Sequence, residues 1–145
     1  MDWYFYLLIS IGVILILILS ITYISFKMAF YSKNKPNENN EIKLPDEDIY
    51  NKYKDVIIND ITEARKLPFK EFSIKSFDGL TLYGKYFEFK KDATIEIMFH
   101  GYRGNGERDL STGIKRAFAC GRNALIIDQR ASGKSEGHII SFGIN

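Results

Sequence analysis

Two apolar runs in the middle of this chain each end in a polar loop that contains glycine. Residues 94–99 (T-I-E-I-M-F) lead into H-G-Y-R-G-N-G, and residues 124–127 (A-L-I-I) lead into D-Q-R-A-S-G-K-S. Short apolar runs of this kind are typical of buried parallel strands, and the carboxyl ends of such strands are where a sheet delivers its functional groups. The two loops are therefore the candidate site.

The first loop begins with His100-Gly101, a pair that suits acyl transfer. That reaction develops negative charge on a carbonyl oxygen, and backbone N–H groups fixed in a turn can stabilise the charge without reorganising. Glycine allows the backbone to come close to a substrate. The pair predicts an oxyanion turn, although a structural turn with His100 hydrogen-bonded to nearby backbone fits the same residues.

The second loop contains an apparent nucleophile elbow. Residues 133–137 (G-K-S-E-G) match G-x-S-x-G, and His138 follows. A working elbow lies directly between a strand and a helix, but here the strand has already ended at Asp128 and no helical pattern follows. Serine and histidine this close also leave no room for an acid between them in the hydrolase order. Ser135 is therefore predicted to be a loop serine.

The glycines of the two loops do not match the known phosphate-binding motifs. Gly133-Lys134-Ser135 resembles the end of a P-loop, but Asp128 stands where that motif needs glycine, and the glycines at 101, 104 and 106 are spaced in reverse order to the dinucleotide fingerprint. We therefore expect no nucleotide, other cofactor or metal. The net charge of +2 comes from 20 basic and 18 acidic residues mixed along the chain, so no basic stripe suggests nucleic acid.

The elements around the loops can also be predicted. Residues 69–77 and 80–89 should form a hairpin about Asp78-Gly79, with Gly84 marking a bulge or a close backbone approach. A helix opening near Glu107 should end at Gly121 and complete a right-handed crossover between parallel strands. Cys120, near the end of that helix, is predicted to be a small buried hydrophobe.

The segment that precedes the hairpin shows helical spacing of apolar residues. Pro45 and the acidic residues after it suit a helix start, and the pattern ends near Leu67. Packing one apolar face on the domain is the expected role of this helix. A cap or a dimer contact is the functional alternative.

Residues 3–26 form an almost unbroken apolar run with aromatic residues at both ends, which predicts a transmembrane helix. A retained anchor is favoured over a cleaved signal peptide, because no Lys or Arg precedes the run and no small-residue cleavage site follows it. Lys27, Lys33 and Lys35 place the soluble part in the cytoplasm, and the single cysteine agrees with a reducing compartment. Residues 27–44 are predicted to be a polar linker and residues 45–145 a domain.

Taken together, these features resemble the N-terminal part of an alpha/beta-hydrolase. The resemblance rests on a hairpin containing D-G-L-T-L-Y-G-K-Y, a strand ending H-G-Y-R-G, a helix, and a strand ending D-Q-R-A-S-G-K-S. It covers residues 69–145 and is closest to membrane-anchored bacterial hydrolases related to serine aminopeptidases and acyl esterases. The implied fold class is α/β: an antiparallel hairpin leading into parallel strands with a crossover helix, preceded by one transmembrane helix.

The resemblance also assigns roles. Tyr102 would donate its backbone N–H to the oxyanion hole, with His100 and Gly101 shaping the turn. Asp128, Arg130 and Gly133 would match the family's D-x-R-G-x-G loop and hold it structurally. Ala131 departs from that pattern where the family has glycine, so a positive φ there would be strained.

In this family the nucleophile elbow, the acid and the histidine all follow the region that resembles this chain. The expectation is therefore an inactive N-terminal portion, cut short, of a membrane-tethered serine hydrolase that cleaves ester or amide bonds in a small acyl ester or peptide. The strand at 94–99 would then keep an unpaired apolar edge. The alternative is a short, non-catalytic, membrane-anchored interaction module that uses this edge to bind a partner.

Overall fold

A computed structural model describes residues 3–33, 42, 44 and 48–141. The chain divides into two compact units, one built on the N-terminal helix and one that spans Ser32–Ile140. The predicted helix start at Pro45 lies outside the described residues.

The N-terminal unit contains helix α1, Trp3–Phe30, which extends four residues beyond the predicted boundary at residue 26. Its 28 residues would measure about 42 Å at 1.5 Å per residue. The hydroxyls of Ser10, Ser20 and Thr22 each donate to the carbonyl four residues earlier at 2.8 Å, so these polar groups are satisfied within the helix. In the described part of the chain, α1 is the one helix long and apolar enough to cross a membrane.

The larger unit is built on a four-stranded sheet, whose strands are β1 (Lys70–Lys75), β2 (Thr81–Phe87), β3 (Ile95–Phe99) and β4 (Asn123–Asp128). Their order in the sheet is β1-β2-β4-β3. The hairpin of β1 and β2 pairs antiparallel with β4, and β4 pairs parallel with β3. Both the hairpin and the crossover between parallel strands are thus confirmed.

Gly84 allows β2 and β4 to lie close together. A Cβ at this position would lie 3.1 Å from the backbone oxygen of Ile126 and 3.1 Å from the Ile127 side chain. Of the two predicted reasons for the glycine, the close backbone approach is therefore confirmed.

Two helices cover one face of the sheet. Helix α3 (Gly106–Ala119) connects β3 to β4, and helix α2 (Asp48–Lys66) contacts α3. The carboxylate of Asp60 in α2 accepts hydrogen bonds from Thr112 and Lys115 of α3 at 2.9 and 2.5 Å. The core between the helices and the sheet contains Ala64, Phe87, Met98, Ile114, Ala117, Ala124 and Ile126. The burial of Ala64 confirms the packing role predicted for α2.

The opposite face of the sheet is apolar but exposed in the described residues. Phe99 and Ile74 keep 63% and 66% of their surface exposed. Phe72, Ile95 and Ile97 are exposed as well. The apolar run of β3 is typical of a buried parallel strand, but the described elements cover this strand on one face. The outer edge of β3 has no paired strand among the described residues, as the resemblance implied.

The prediction for Cys120 was wrong, because its side chain is exposed. Cys120 is the C-cap of α3, and the chain turns away at Gly121, where φ is +69°. The residue therefore lies one position beyond the helix, whose last fully buried position is Ala117.

Candidate functional site

The two predicted loops lie at one edge of the sheet. The β3 loop (residues 100–105) and the β4 loop (residues 129–137) each follow the carboxyl end of one of the two parallel strands. The backbone N–H of Gln129 donates to Nε2 of His100 at 3.1 Å, and the Gln129 side-chain amide donates to the His100 carbonyl at 2.5 Å. These bonds fix the start of one loop against the start of the other.

His100 is buried, with both ring nitrogens in hydrogen bonds. Nδ1 lies 2.8 Å from the carbonyl oxygen of Gly101, and Nε2 accepts from Gln129. A nitrogen that accepts a hydrogen bond carries no hydrogen, so the partners assign the hydrogen to Nδ1. His100 is therefore hydrogen-bonded to nearby backbone at the start of the β3 loop, and its part in an oxyanion turn stays a prediction.

A tight turn follows His100. The N–H of Gly104 donates to the carbonyl of Gly101 at 3.0 Å, and φ of Arg103 is +55°. A positive φ at the third position of a four-residue turn is the mark of type II turns. A Cβ on Gly104 would overlap the Asp109 side chain, whereas a Cβ on Gly101 would meet nothing within 4 Å. The turn is closely packed at Gly104 and open at Gly101.

Tyr102 occupies the second position of this turn and keeps 51% of its surface exposed. The Arg103 side chain donates from Nε to the Tyr102 hydroxyl at 2.9 Å, and its guanidinium lies 5.4 Å from the ring centroid. Both side chains therefore lie on the outer surface of the loop. The oxyanion role of the Tyr102 backbone N–H remains a prediction.

Asp128 joins the β4 loop to the start of α3. Its Oδ1 accepts from the N–H of Gly106, and its Oδ2 accepts from the N–H of Lys134, both at 2.9 Å. A Cβ on Gly133 would overlap this carboxylate, and φ of Gly133 is +52°, so both space and backbone conformation favour glycine. Asp128 and Gly133 thus make the holding contacts that the resemblance implied.

Arg130 joins the β4 loop to the β1–β2 turn. Its guanidinium donates to both carboxylate oxygens of Asp78, at 2.5 and 2.9 Å. The hydrogen bonds from Arg130, with a further one from Ser76, lower the pKa of Asp78 to about 2. The same pairing raises the pKa of Arg130.

Ser135 is buried inside the β4 loop. Its Oγ accepts from the N–H of Tyr83 in β2 at 2.8 Å and donates to the carbonyl of Asp128 at 2.5 Å. Residues 136–141 contain no helix. The hydroxyl therefore joins β2 to the loop after β4, and the prediction of a loop serine is confirmed.

Ala131 adopts a positive φ, the conformation that would be strained for an alanine at this position of the loop. Its φ is +61°, and its side chain is 1% exposed. The N–H of Ala131 donates to the carbonyl of Glu136 at 3.1 Å, which closes the loop upon itself. An alanine thus occupies a left-handed position that glycine would adopt without strain.

Sequence reasoning missed two residues of the site. Asn105 is the N-cap of α3, and its side chain accepts from the N–H of Arg108 at 2.8 Å. Its signal was present, since asparagine before an acidic first turn is typical of helix starts. Gln129 had no signal, because its partner His100 is 29 positions away.

No group of three or more His, Cys, Asp or Glu side chains within residues 3–33, 42, 44 and 48–141 could hold a metal ion.

No protein-family model matches this chain, and no curated protein matches it. Several solved structures match this chain. The Pyrococcus furiosus esterase Pf2001 matches with a TM-score of 0.50 and 21% identity, over 79% of this chain and 37% of the esterase. The alpha/beta hydrolase GrgF from Penicillium sp. sh18 matches with a TM-score of 0.40 and 26% identity, over 49% of this chain and 25% of that one. Acetyl xylan esterase 1 from Thermoanaerobacterium sp. JW/SL YS485 matches with a TM-score of 0.35 and 17% identity.

The likeness to the Pyrococcus esterase shows that the larger unit shares the mixed α/β fold of that protein. The predicted fold class is therefore confirmed. The matched region of this chain spans well under half of the length of that esterase.

Proposed function

We propose that residues 69–141 form the N-terminal part of the catalytic domain of a membrane-tethered serine hydrolase that cleaves ester or amide bonds. The β3 loop would supply an oxyanion donor, the backbone N–H of Tyr102. The nucleophile, the acid and the catalytic histidine would come from outside the described residues. The observation that carries the proposal is the pair of loops held together at the carboxyl edge of β3 and β4 by His100 and Gln129.

Rigidity of the turn supports the oxyanion role. Stabilisation of a developing oxyanion is effective when the donor is fixed before the reaction, because no reorganisation energy is then required. The turn is fixed by His100 at its start and by the Gly101–Gly104 hydrogen bond across it. At the same time Gly101 and Tyr102 are exposed, so a substrate could reach the backbone between these two constraints.

A loop graft tests the oxyanion role. Residues 100–104 would replace the corresponding loop of the Pyrococcus esterase, which supplies the rest of an active hydrolase. The graft should remain active, and Tyr102→Pro within it should lower kcat by about 10²- to 10³-fold, as removal of one oxyanion donor does in other hydrolases. Proline suits the second position of this turn but has no N–H. Tyr102→Ala, which keeps the N–H, is the matched control, and equal activity of the two variants would refute the role.

The described residues alone should be inactive, because Ser135 is committed to Tyr83 and Asp128. The purified chain of 145 residues in detergent should not hydrolyse p-nitrophenyl acetate and should not react with a fluorophosphonate probe. Labelling of Ser135, located by peptide mass spectrometry, would show that this serine is a nucleophile after all.

The proposed location is the cell membrane, with α1 as a single-pass anchor and the larger unit in the cytoplasm. The length and apolar composition of α1 support the anchor. Lys27 and Lys33 follow the apolar run, which favours a cytoplasmic side for the larger unit. Alkaline phosphatase fused after residue 145 should be inactive, and an active fusion would reverse the orientation.

A second candidate function is a non-catalytic interaction module. It is favoured by β3, whose outer edge has no strand partner among the described residues and whose uncovered face exposes Ile95, Ile97 and Phe99. An added strand could pair with this edge. Cooperative unfolding of the full chain, with slow hydrogen exchange in β3, would favour this module. Rapid exchange in β3 would favour the incomplete hydrolase domain.

A further inference from the structure

A cleft of about 290 Å³ lies between α2, α3 and the covered face of the sheet. None of its lining residues belongs to the β3 loop or the β4 loop, so the cleft is separate from the candidate site. Its apolar wall consists of Ala64, Phe69, Phe87, Ile114 and Ile126. At roughly 30 Å³ for each water-sized group, the cleft has room for about ten non-hydrogen atoms.

Lys85 is the unusual residue in this cleft. It lies on the covered face of β2, opposite Ile126 of β4 and two positions before Phe87, which is 3% exposed. Alternation along the strand would place an apolar residue here. The Lys85 ammonium instead lies 4.8 Å from the centroid of the Phe69 ring.

The cationic charge of Lys85 is not balanced by the surrounding side chains. Its cross-strand neighbour Glu71 binds Lys134 at 2.6 Å. Arg65 and Glu107, the other charged residues of the cleft, bind each other at 2.7 Å. No carboxylate in the described part of the chain forms an ion pair with Lys85. An unbalanced cation at an apolar wall favours a ligand that has one negative charge.

The geometry points to this cleft as a binding site for a small carboxylate with an apolar body. The carboxylate accepts hydrogen bonds from the Lys85 ammonium, and the body packs against Phe69, Phe87 and Ile114. The volume of the cleft is at the lower end of the range for small-molecule sites, which selects a ligand of about ten non-hydrogen atoms. This inference does not depend on the proposed hydrolase function.

The test uses the full chain in nanodiscs of zwitterionic lipid, with empty nanodiscs as the blank for partition into lipid. The probe is 4-fluorobenzoate, which has ten non-hydrogen atoms and is observed by fluorine NMR, and its neutral isostere is 4-fluorobenzamide. We expect the acid to bind at least roughly tenfold more tightly than the amide, as expected for a hydrogen bond to a charged group. Equal affinity of the two compounds, or no binding of the acid above the blank, would overturn the inference.

Substitutions then locate the site. Lys85→Met should weaken binding of the acid by roughly tenfold and leave the amide unchanged, while Lys85→Arg should keep most of the affinity. Lys91→Met, which removes an exposed lysine outside the cleft, is the matched control. Unchanged affinity in Lys85→Met would place the acid elsewhere and overturn the inference. If Lys85→Met fails to fold, the comparison of acid and amide on the unmodified chain still decides the outcome.

Discussion

The β3 loop and the β4 loop begin at the same edge of the sheet but differ in what they expose. In the β4 loop, Ala131, Ser132 and Ser135 are 1%, 6% and 3% exposed. In the β3 loop, Gly101 and Tyr102 are exposed, and burial is confined to His100, which precedes the turn, and Gly104, which ends it.

The difference shows that a motif's letters do not determine its role. The β4 loop contains the G-x-S-x-G pattern, yet its serine, together with Asp128 at the end of β4, holds β2, β4 and α3 together. The β3 loop contains no nucleophile, yet it presents backbone at an open turn. Catalysis needs groups that a substrate can reach, whereas a structural loop needs groups that other residues have already bound.

The largest difference in stability between the two loops should appear when a methyl group is added to one glycine in each. Gly133→Ala would place a Cβ on the Asp128 carboxylate at a positive φ, so we expect it to lower the free energy of unfolding by about 3 kcal/mol or more. Gly101→Ala meets nothing within 4 Å and should cost under about 1 kcal/mol. Urea denaturation of the full chain in detergent, followed by circular dichroism, measures both. Similar losses in the two variants would remove the distinction between the loops.

A smaller contrast should follow from removing one hydroxyl in each loop. Ser135→Ala leaves the partly buried N–H of Tyr83 without this acceptor and should lower the free energy of unfolding by about 1–3 kcal/mol. Tyr102→Phe removes an exposed hydroxyl that accepts from Arg103 and should change it by under about 0.5 kcal/mol. The same denaturation experiment applies. A negligible cost for Ser135→Ala would mean that the hydroxyl is not needed to hold the loop.

Local patterns in the sequence were sufficient to predict the hairpin, the crossover helix and the loop role of Ser135. Asp78-Gly79 specified a turn between two strands, and the absence of a helical pattern after Ser135 argued against an elbow. The tertiary partners were not predictable in this way. Arg130 pairs with Asp78 across 52 positions because the hairpin folds back beside β4, and only the assembled sheet brings the two together.

The backbone strain in each loop gives a third and smaller contrast. Arg103 and Ala131 both have positive φ, at +55° and +61°. Arg103→Gly should raise the free energy of unfolding by about 0.5–1 kcal/mol, because relief of strain exceeds the added entropy of the unfolded chain. Ala131→Gly should raise the free energy of unfolding by less, because loss of the buried methyl group costs about 0.8 kcal/mol and offsets part of the relieved strain. A larger gain for Ala131→Gly than for Arg103→Gly in thermal or urea unfolding would contradict this account of the strain in the two loops.

The smallest effect concerns acid pH and the contact between the β4 loop and the β1–β2 turn. Hydrogen bonds from Arg130 and Ser76 lower the folded-state pKa of Asp78 to about 2, below its value of about 3.9 in an unfolded chain. A lowered pKa contributes stability above the unfolded value, and that contribution is lost as pH falls from about 4 to about 2. The difference in free energy of unfolding between the unmodified chain and Asp78→Asn should therefore shrink across this window. Because the pair is exposed, the difference should also shrink in high salt, and a difference independent of both pH and salt would mean that the charge of Asp78 does not hold this loop.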